Sequence, residues 1–352
     1  MSRVQLLSKN NTAASVNNDG VQSRLPQKKA RKAPLRVHIV CGDIMMVTNK
    51  MVFDHDVQYA NRKILEWIDD PDVVDRKLVG TCASDYSNLD KWLKHAHILI
   101  SYSSGPIADE ENTKVLQQWL ENGGRMIGIH GTSGGYARKI TSNDEFKNAL
   151  YPGKVHKHGP REWMKKPFHD TLGAFFMAHP PIHTFPVDVI DTSHIVTTGL
   201  PERFDLEDEL YLFELQGDLK DYKILVTTDY DIMGNDMRDS NYAYLRDYPW
   251  DPKRDIKSLQ RLYEKNARPF ESEMLVTRDP GEYNTGHPAI GKGNNNKRVL
   301  VYERKVGKGA VCYIGLGHCT VNRPGHKGYK GSWANPIFEQ MVKNAITWAA
   351  DQ

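Results

Sequence analysis

Along this chain, short apolar runs alternate with stretches in which apolar residues recur at helical spacing. The run in "RVHIVCGD" (Arg36 to Asp43) predicts a strand. In "VQYANRKILEWIDD", Tyr59, Ile64, Leu65 and Ile68 recur at helical spacing, and "KLVGTC" reads as the next strand. A short helix around Leu89 to Leu93 leads to the strand "AHILISY". "DEENTKVLQQWLENGG" follows, with acidic residues where a helix begins and glycines where it stops. "RMIGI" is the fourth strand of the series. Alternation in steps of this size predicts parallel βαβ units in a doubly wound sheet, an α/β fold.

The second half is more mixed. "FPVDVID", "ELYLFEL" and "YKILVTTDY" read as strands, and "RVLVYERKVGKGAVCYIGLGH" as two strands around a Gly-containing turn. The closing "NPIFEQMVKNAITWAA" predicts a helix with Ile337, Met341, Ile346 and Trp348 on its apolar face. Residues 231–297 are polar and rich in Asn, Asp, Arg and Pro, with one short helical pattern, and read as an insertion folded over the main domain. Residues 1–34 lack apolar periodicity and include the basic run "QKKARKAP"; they read as a disordered, solvated tail ahead of a single domain over 35–352.

Composition narrows the class. Of 352 residues, 39% are hydrophobic, enough for a sizeable core, and 47 basic against 44 acidic residues leave a formal charge of +3. That balance gives no global field of the kind nucleic acid requires, so no nucleic-acid partner is expected. Cys41, Cys82, Cys312 and Cys319 form no Cys-x-x-Cys pair and are too sparse for a disulfide framework. They read as reduced thiols of a cytoplasmic protein. No signal core stands at the start, and no stretch reaches the roughly 18 apolar residues of a membrane span. A small-molecule partner is expected, and a homo-oligomer is left open.

Cofactor motifs are missing where an α/β sheet would carry them. No Gly-x-Gly-x-x-Gly follows the first strand, and no Gly-x-x-x-x-Gly-Lys-Ser/Thr occurs, which argues against nicotinamide, flavin and nucleoside triphosphate binding. "IGIHGTSGG" has instead the form of a strand-to-helix turn that displays one side chain at a strand's carboxyl end. In class I glutamine amidotransferases the matching stretch reads Gly-Ile-Cys-x-Gly, so His130 stands in the place of the nucleophilic cysteine. An imidazole there suits proton transfer, hydrogen bonding or metal ligation rather than acyl transfer, which argues against glutamine hydrolysis. His130 as a plain turn-stabilising group is the competing reading.

Other candidates lie downstream. "GAFFMAHPPIHTFPVDVIDTSH" carries His179, His183 and His194, but its prolines exclude the helical His-x-x-x-His zinc arrangement. "DLEDELY" places Asp208, Glu209 and Tyr211 where an apolar strand begins, and carboxylates at a strand end are either solvated or aimed into a cleft. "VCYIGLGHC" puts His318 on a strand-terminal turn like that of His130.

"GGRMIGIHG", "LGAFFMAHP", "DTSHIVTTGLPERFDLEDELYLFE" and "GKGAVCYIGLGHC" with the closing helix, in this order, resemble the trehalose utilisation (ThuA-like) family. The resemblance covers roughly residues 36 to 352 apart from the insertion, and its specificity lies in the set rather than in any one piece. It departs at His194, where "HIV" replaces the usual His-Pro-Ile, and in the length of 231–297. The resemblance implies a flavodoxin-like, class I amidotransferase-like fold and a pocket at His130, His179, Glu209 and His318, with Asp208 and Tyr211 beside them. His130, His318 and Glu209 would be catalytic, while His179, Asp208, Tyr211 and Gly131 would bind substrate. The expected activity is an isomerase-, lyase- or hydrolase-type reaction on trehalose or a related disaccharide or keto-sugar, by proton transfer. In a second version, His130, His179, Glu209 and His318 ligate a divalent metal such as zinc; no cofactor is certain. The alternative is a noncatalytic sugar-binding or regulatory domain.

Overall fold

The computed structural model of the chain describes residues 33–43, 55–105, 107–134, 136–139, 152–156, 159–178, 182–229, 298–322 and 327–351. The expected tail up to residue 32 and the insertion 231–297 lie outside the described residues. Strands follow the order β1 (Leu35–Asp43), β2 (Leu78–Ala83), β3 (Ile98–Ser104), β4 (Arg125–Ile129), β5 (Tyr136–Lys139), β6 (Pro152–His156) and β7 (Gly159–Met164). They continue as β8 (Ala174–Ala178), β9 (His183–Val189), β10 (Arg203–Asp208), β11 (Leu212–Leu215), β12 (Tyr222–Thr228), β13 (Arg298–Val306) and β14 (Gly309–Ile314). The helices are α1 (Val57–Asp69), α2 (Leu89–Leu93), α3 (Glu110–Glu121), α4 (Pro167–Leu172) and α5 (Pro336–Ala350).

Nine strands form one mixed sheet in the order β10-β9-β12-β13-β14-β4-β3-β1-β2. From β14 to β2 every pairing is parallel, which the βαβ alternation predicts for β1 to β4 and not for the β14–β4 pair. From β14 to β10 every pairing is antiparallel, beginning with the expected β13–β14 hairpin. Those four reversals return β10 to the direction of β14. The carboxyl ends of β1, β4, β10 and β14 therefore meet the same edge of the sheet. Two smaller sheets, β11-β8 and β5-β7-β6, complete the described strands.

Alternation along the central strands divides the core in two. Val37, Ile39 and Cys41 of β1 face the cluster that includes Ile64 and Trp67 of α1 and Phe338 and Met341 of α5. Val40 and Leu99 face the other cluster, with Leu89 of α2, Leu116 of α3, Phe168 of α4 and Phe213 of β11. A period of two with both faces covered is what a buried sheet demands. On α1 the buried stripe is Ala60, Ile64, Trp67 and Ile68, while Leu65 is 37% exposed. One residue of helix rotates the side chain by about 100°, which carries Leu65 off the face that Ile64 occupies. On α5, Met341, Ile346 and Trp348 are buried as the spacing suggests, while in the first turn Phe338 is buried and Ile337 only half-buried. Among the described residues no helix is long and apolar enough to cross a membrane.

His38 on β1 is buried against Trp92, with ring centroids 5.2 Å apart, and its Nδ1 lies 2.9 Å from the Thr81 hydroxyl. Burial lowers its pKa from 6.5 to about 4. Between those values the unfolded chain binds the extra proton, so stability present above pH 6.5 is lost as pH falls toward 4. Urea unfolding at pH 7, 5.5 and 4.5 is expected to show a shallower acid loss for His38→Phe than for the unmodified chain; equal slopes would exclude His38 as a source.

Candidate metal centre at the carboxyl edge of the sheet

Strand β4 ends at Ile129, and the chain turns at once into a single 3-10 turn, His130–Ser133. His130 has φ 46, a left-handed conformation rare outside glycine. Such a conformation persists only where its surroundings enforce it. The Tyr313 hydroxyl donates to the His130 carbonyl at 2.7 Å, and Thr132 Oγ1 to the Ile129 carbonyl at 2.8 Å. A Cβ on Gly131 would lie 2.6 Å from the Ser103 carbonyl oxygen, which is backbone and cannot yield. Gly131→Ala is therefore expected to cost about 1–3 kcal/mol in chemical denaturation, the usual range for overpacking. A wild-type midpoint would show that the turn is more pliant than its contacts imply.

The far end of the turn is held by His169 on α4, a residue the sequence patterns do not single out. Its Nδ1 accepts from the Lys166 amide at 2.8 Å, so Nε2 carries the proton and donates to the Gly134 carbonyl at 3.1 Å. Burial lowers its pKa, in keeping with this neutral tautomer.

His318 follows β14 through Gly315–Gly317. Gly317 has φ +119, and a side chain there would meet Ile129 and Phe338 at 3.1 Å. Glu209 follows β10. The His55 amide donates to Asp43 Oδ2 at the end of β1 at 3.0 Å, and its neighbour Asp56 caps α1 by accepting from the Tyr59 amide. The Asp56 amide bonds to the Cys319 carbonyl at 2.9 Å, which ties the His55 segment to the His318 turn.

These four side chains converge. One ligating atom each from His55, His130, Glu209 and His318 lies within 4.8 Å of the others, and all four residues are buried. His130 Nδ1 faces the Gly315 carbonyl at 3.2 Å and must donate to it, which leaves the Nε2 lone pair turned inward. That Nε2 is 3.3 Å from His318 Nδ1 and 3.4 Å from Glu209 Oε2, and the latter two are 3.3 Å apart. At most one imidazole proton, on His318 Nδ1, can lie among these three atoms unless a further proton is taken up. A single cation would satisfy all three lone pairs. Zinc bonds of roughly 2.0–2.1 Å in a tetrahedron give ligand–ligand separations of about 3.3–3.4 Å, so the donor set and spacing fit a zinc-type ion. The His130–carbonyl contact is the outer support that metal-ligating histidines usually have.

Tyr211 packs its ring 3.8 Å from that of His130, forming one wall. Asp208 is fully buried behind the site, accepting from the Gly317, His318 and Glu209 amides at 2.7, 3.0 and 2.7 Å and from the Ser332 hydroxyl. Burial raises its carboxyl above the ordinary range, while His130 and these donors oppose the rise. Burial also pushes the Cys319 thiol up to about 12, so the one cysteine beside the site stays protonated. His183 lies on β9 against Phe185, and His194 Nε2 meets Glu303 at 2.6 Å; neither joins the cluster. His179 lies outside the described residues.

His55 is the member that sequence reasoning passes over. Its only signal is positional: it lies in the β1–α1 connection, and connections leaving parallel strands reach the edge where α/β sheets bind ligands.

The fold and site together define an α/β protein with a three-histidine, one-carboxylate cluster at the carboxyl edge of a mixed nine-stranded sheet. The family model described as trehalose utilisation, ThuA, matches residues 44–349, and the chain belongs to that family. A ThuA-like protein of Bacteroides uniformis is 16% identical, with 93% of this chain and 96% of that chain covered at a TM-score of 0.48. A ThuA-like protein of Parabacteroides merdae is 14% identical, with 90% of each chain covered at a TM-score of 0.47. None of the curated proteins matches the chain.

Proposed function

We propose that the protein is an enzyme of carbohydrate utilisation that moves a proton on trehalose, a related disaccharide or a keto-sugar, assisted by a divalent metal. The triangle of His130 Nε2, His318 Nδ1 and Glu209 Oε2 carries this reading, since its 3.3–3.4 Å edges match one ion's ligand sphere. His55, His130, Glu209 and His318 would hold the metal. When bound, it would polarise a sugar carbonyl or hydroxyl and lower the pKa of a coordinated oxygen. Glu209 is the one carboxylate among them and is the residue we assign to accept or return the proton. Tyr211 and Gly131 lie beside His130 and serve as the substrate wall, and His179 is proposed as a further substrate-binding residue. The parallel strands in the order β2-β1-β3-β4-β14 follow the flavodoxin-type 2-1-3-4-5 order, which supports a doubly wound, amidotransferase-like domain that binds ligands at this edge. On this reading the protein works in the cytoplasm.

The full chain, stripped with chelator, is expected to take up about one equivalent of Zn²⁺ or Mn²⁺ by calorimetry. The loaded protein should then convert a member of a panel of disaccharides and their keto forms, followed by NMR, and Glu209→Gln should lose that conversion. Metal below about one-tenth of an equivalent with conversion intact sinks the metal role. Sugar binding without conversion, retained on removal of His130, supports the noncatalytic alternative instead.

A further inference from the structure

Asp208 is a charged group at a position where the alternation of β10 calls for an apolar side chain. In "RFDLED" the inward positions are Phe204, Leu206 and Asp208, and Asp208 is completely buried. Its two oxygens are fully committed to protein donors. Oδ1 accepts from the His318 and Glu209 amides, and Oδ2 from the Gly317 amide and the Ser332 hydroxyl. Two of those amides belong to cluster residues that arrive from different strands, β10 and β14, more than a hundred positions apart in sequence. We infer that Asp208 is the positioning residue of the site, a buried carboxylate that locks the backbones of Glu209 and His318 to each other and so sets the separation of their side chains.

The chemistry of the four donors makes the role specific to a carboxylate. Oδ1 faces two backbone N–H groups and Oδ2 one, so an amide in either orientation points its NH2 at a backbone N–H that cannot accept, whereas the Ser332 hydroxyl can turn to accept. Asp208→Asn is nearly isosteric, yet it replaces at least one accepted backbone hydrogen bond with a donor–donor contact. Ser332→Ala removes a single donor and leaves the carboxylate in place, a milder form of the same lesion. On the other side of the same residue, the Trp333 indole N–H holds the Gly317 carbonyl at 2.6 Å.

Two measurements on the full chain separate this inference from the metal reading on which part of its test rests. The first is amide hydrogen exchange of the metal-free protein. Asp208→Asn should speed exchange at Gly317, His318 and Glu209 by at least about tenfold, with amides of β3 such as Leu99 and Ile100 unchanged. The second is zinc affinity by calorimetry, expected to fall about 10–100-fold in Asp208→Asn and by less in Ser332→Ala, the range for losing a partner that orients ligands. Wild-type exchange at these three amides, or a uniform rise that includes β3, overturns the inference, as does wild-type zinc affinity in Asp208→Asn. Should the unmodified chain bind no zinc, the metal reading falls and exchange alone decides the positioning role. Should Asp208→Asn fail to fold, Ser332→Ala decides it: wild-type exchange at Gly317 and wild-type zinc affinity there overturn it.

Discussion

Substituting His130 by asparagine is expected to weaken zinc binding by more than about 100-fold and to abolish sugar conversion, while leaving the metal-free fold intact. Asparagine is the informative replacement because it tolerates the left-handed backbone that His130 adopts at φ 46, where alanine would add strain of its own. What it removes is the inward Nε2, which lies 3.3 Å from His318 and 3.4 Å from Glu209. Losing a group that only orients a ligand costs roughly 10–100-fold in metal affinity, and losing the ligand itself should cost more. The cost to folding comes from the shortened side chain against Tyr211, 3.8 Å away, and should stay within the ordinary range of about 1–2 kcal/mol. Thermal unfolding reads both effects. Metal at 100 times its dissociation constant adds about 2.7 kcal/mol to the native state of the unmodified chain, and His130→Asn should lose that increment while its metal-free midpoint moves little. A metal-dependent rise of equal size in both proteins would remove His130 from the ligand set.

How far the sequence discloses such a site depends on where each residue sits. His130 and His318 are legible because each follows an apolar strand run and stands next to a glycine, and glycine marks a tight turn with a close backbone approach. The structure places both where that pattern points. Glu209 is legible only as one of several acidic residues, since what selects it is the return of β10 to the direction of β14 through four antiparallel pairings. β10 itself is obscured by the same feature that makes it useful. Its edge location leaves one face exposed, and its inward row ends in Asp208 rather than in an apolar residue. His55 leaves no local mark at all, because its place at the edge is set by Asp43 at the end of β1 and by Asp56 capping α1. The central sheet and its helices are legible for the opposite reason: their spacing records burial on both faces, and burial is local in sequence even when the contacts are not. Leu65 shows the limit of that record. Apolar character alone does not distinguish Ile64, which faces the sheet, from its exposed neighbour one step round the helix.

Trp333→Ala should be the most destabilising single substitution considered, at about 3–5 kcal/mol, the range for truncating a large buried aromatic side chain. Trp333 is 1% exposed and sits between two helices and the sheet they cover. It stacks on Trp67 of α1 with ring centroids 5.6 Å apart and an interplanar angle of 3°, and meets Tyr102 of β3 and Phe338 of α5 edge-on at 5.1 and 5.3 Å. Truncation leaves a cavity among these rings, and its cost adds to the lost burial. Packing alone would make Trp333 a residue of the core and nothing more. Its indole N–H, however, donates to the Gly317 carbonyl at 2.6 Å, on the turn that presents His318. Trp333→Phe separates the two contributions, because phenylalanine keeps an aromatic ring in the stack and cannot donate. Leaving a buried carbonyl without its donor costs about 1–3 kcal/mol, so Trp333→Phe should be the milder change in urea unfolding. Its effect on zinc affinity should nonetheless approach that of Trp333→Ala, since both free the Gly317 carbonyl and only the alanine variant empties the stack. If zinc affinity instead follows stability through the two variants, the indole acts on the site through packing and not through the turn.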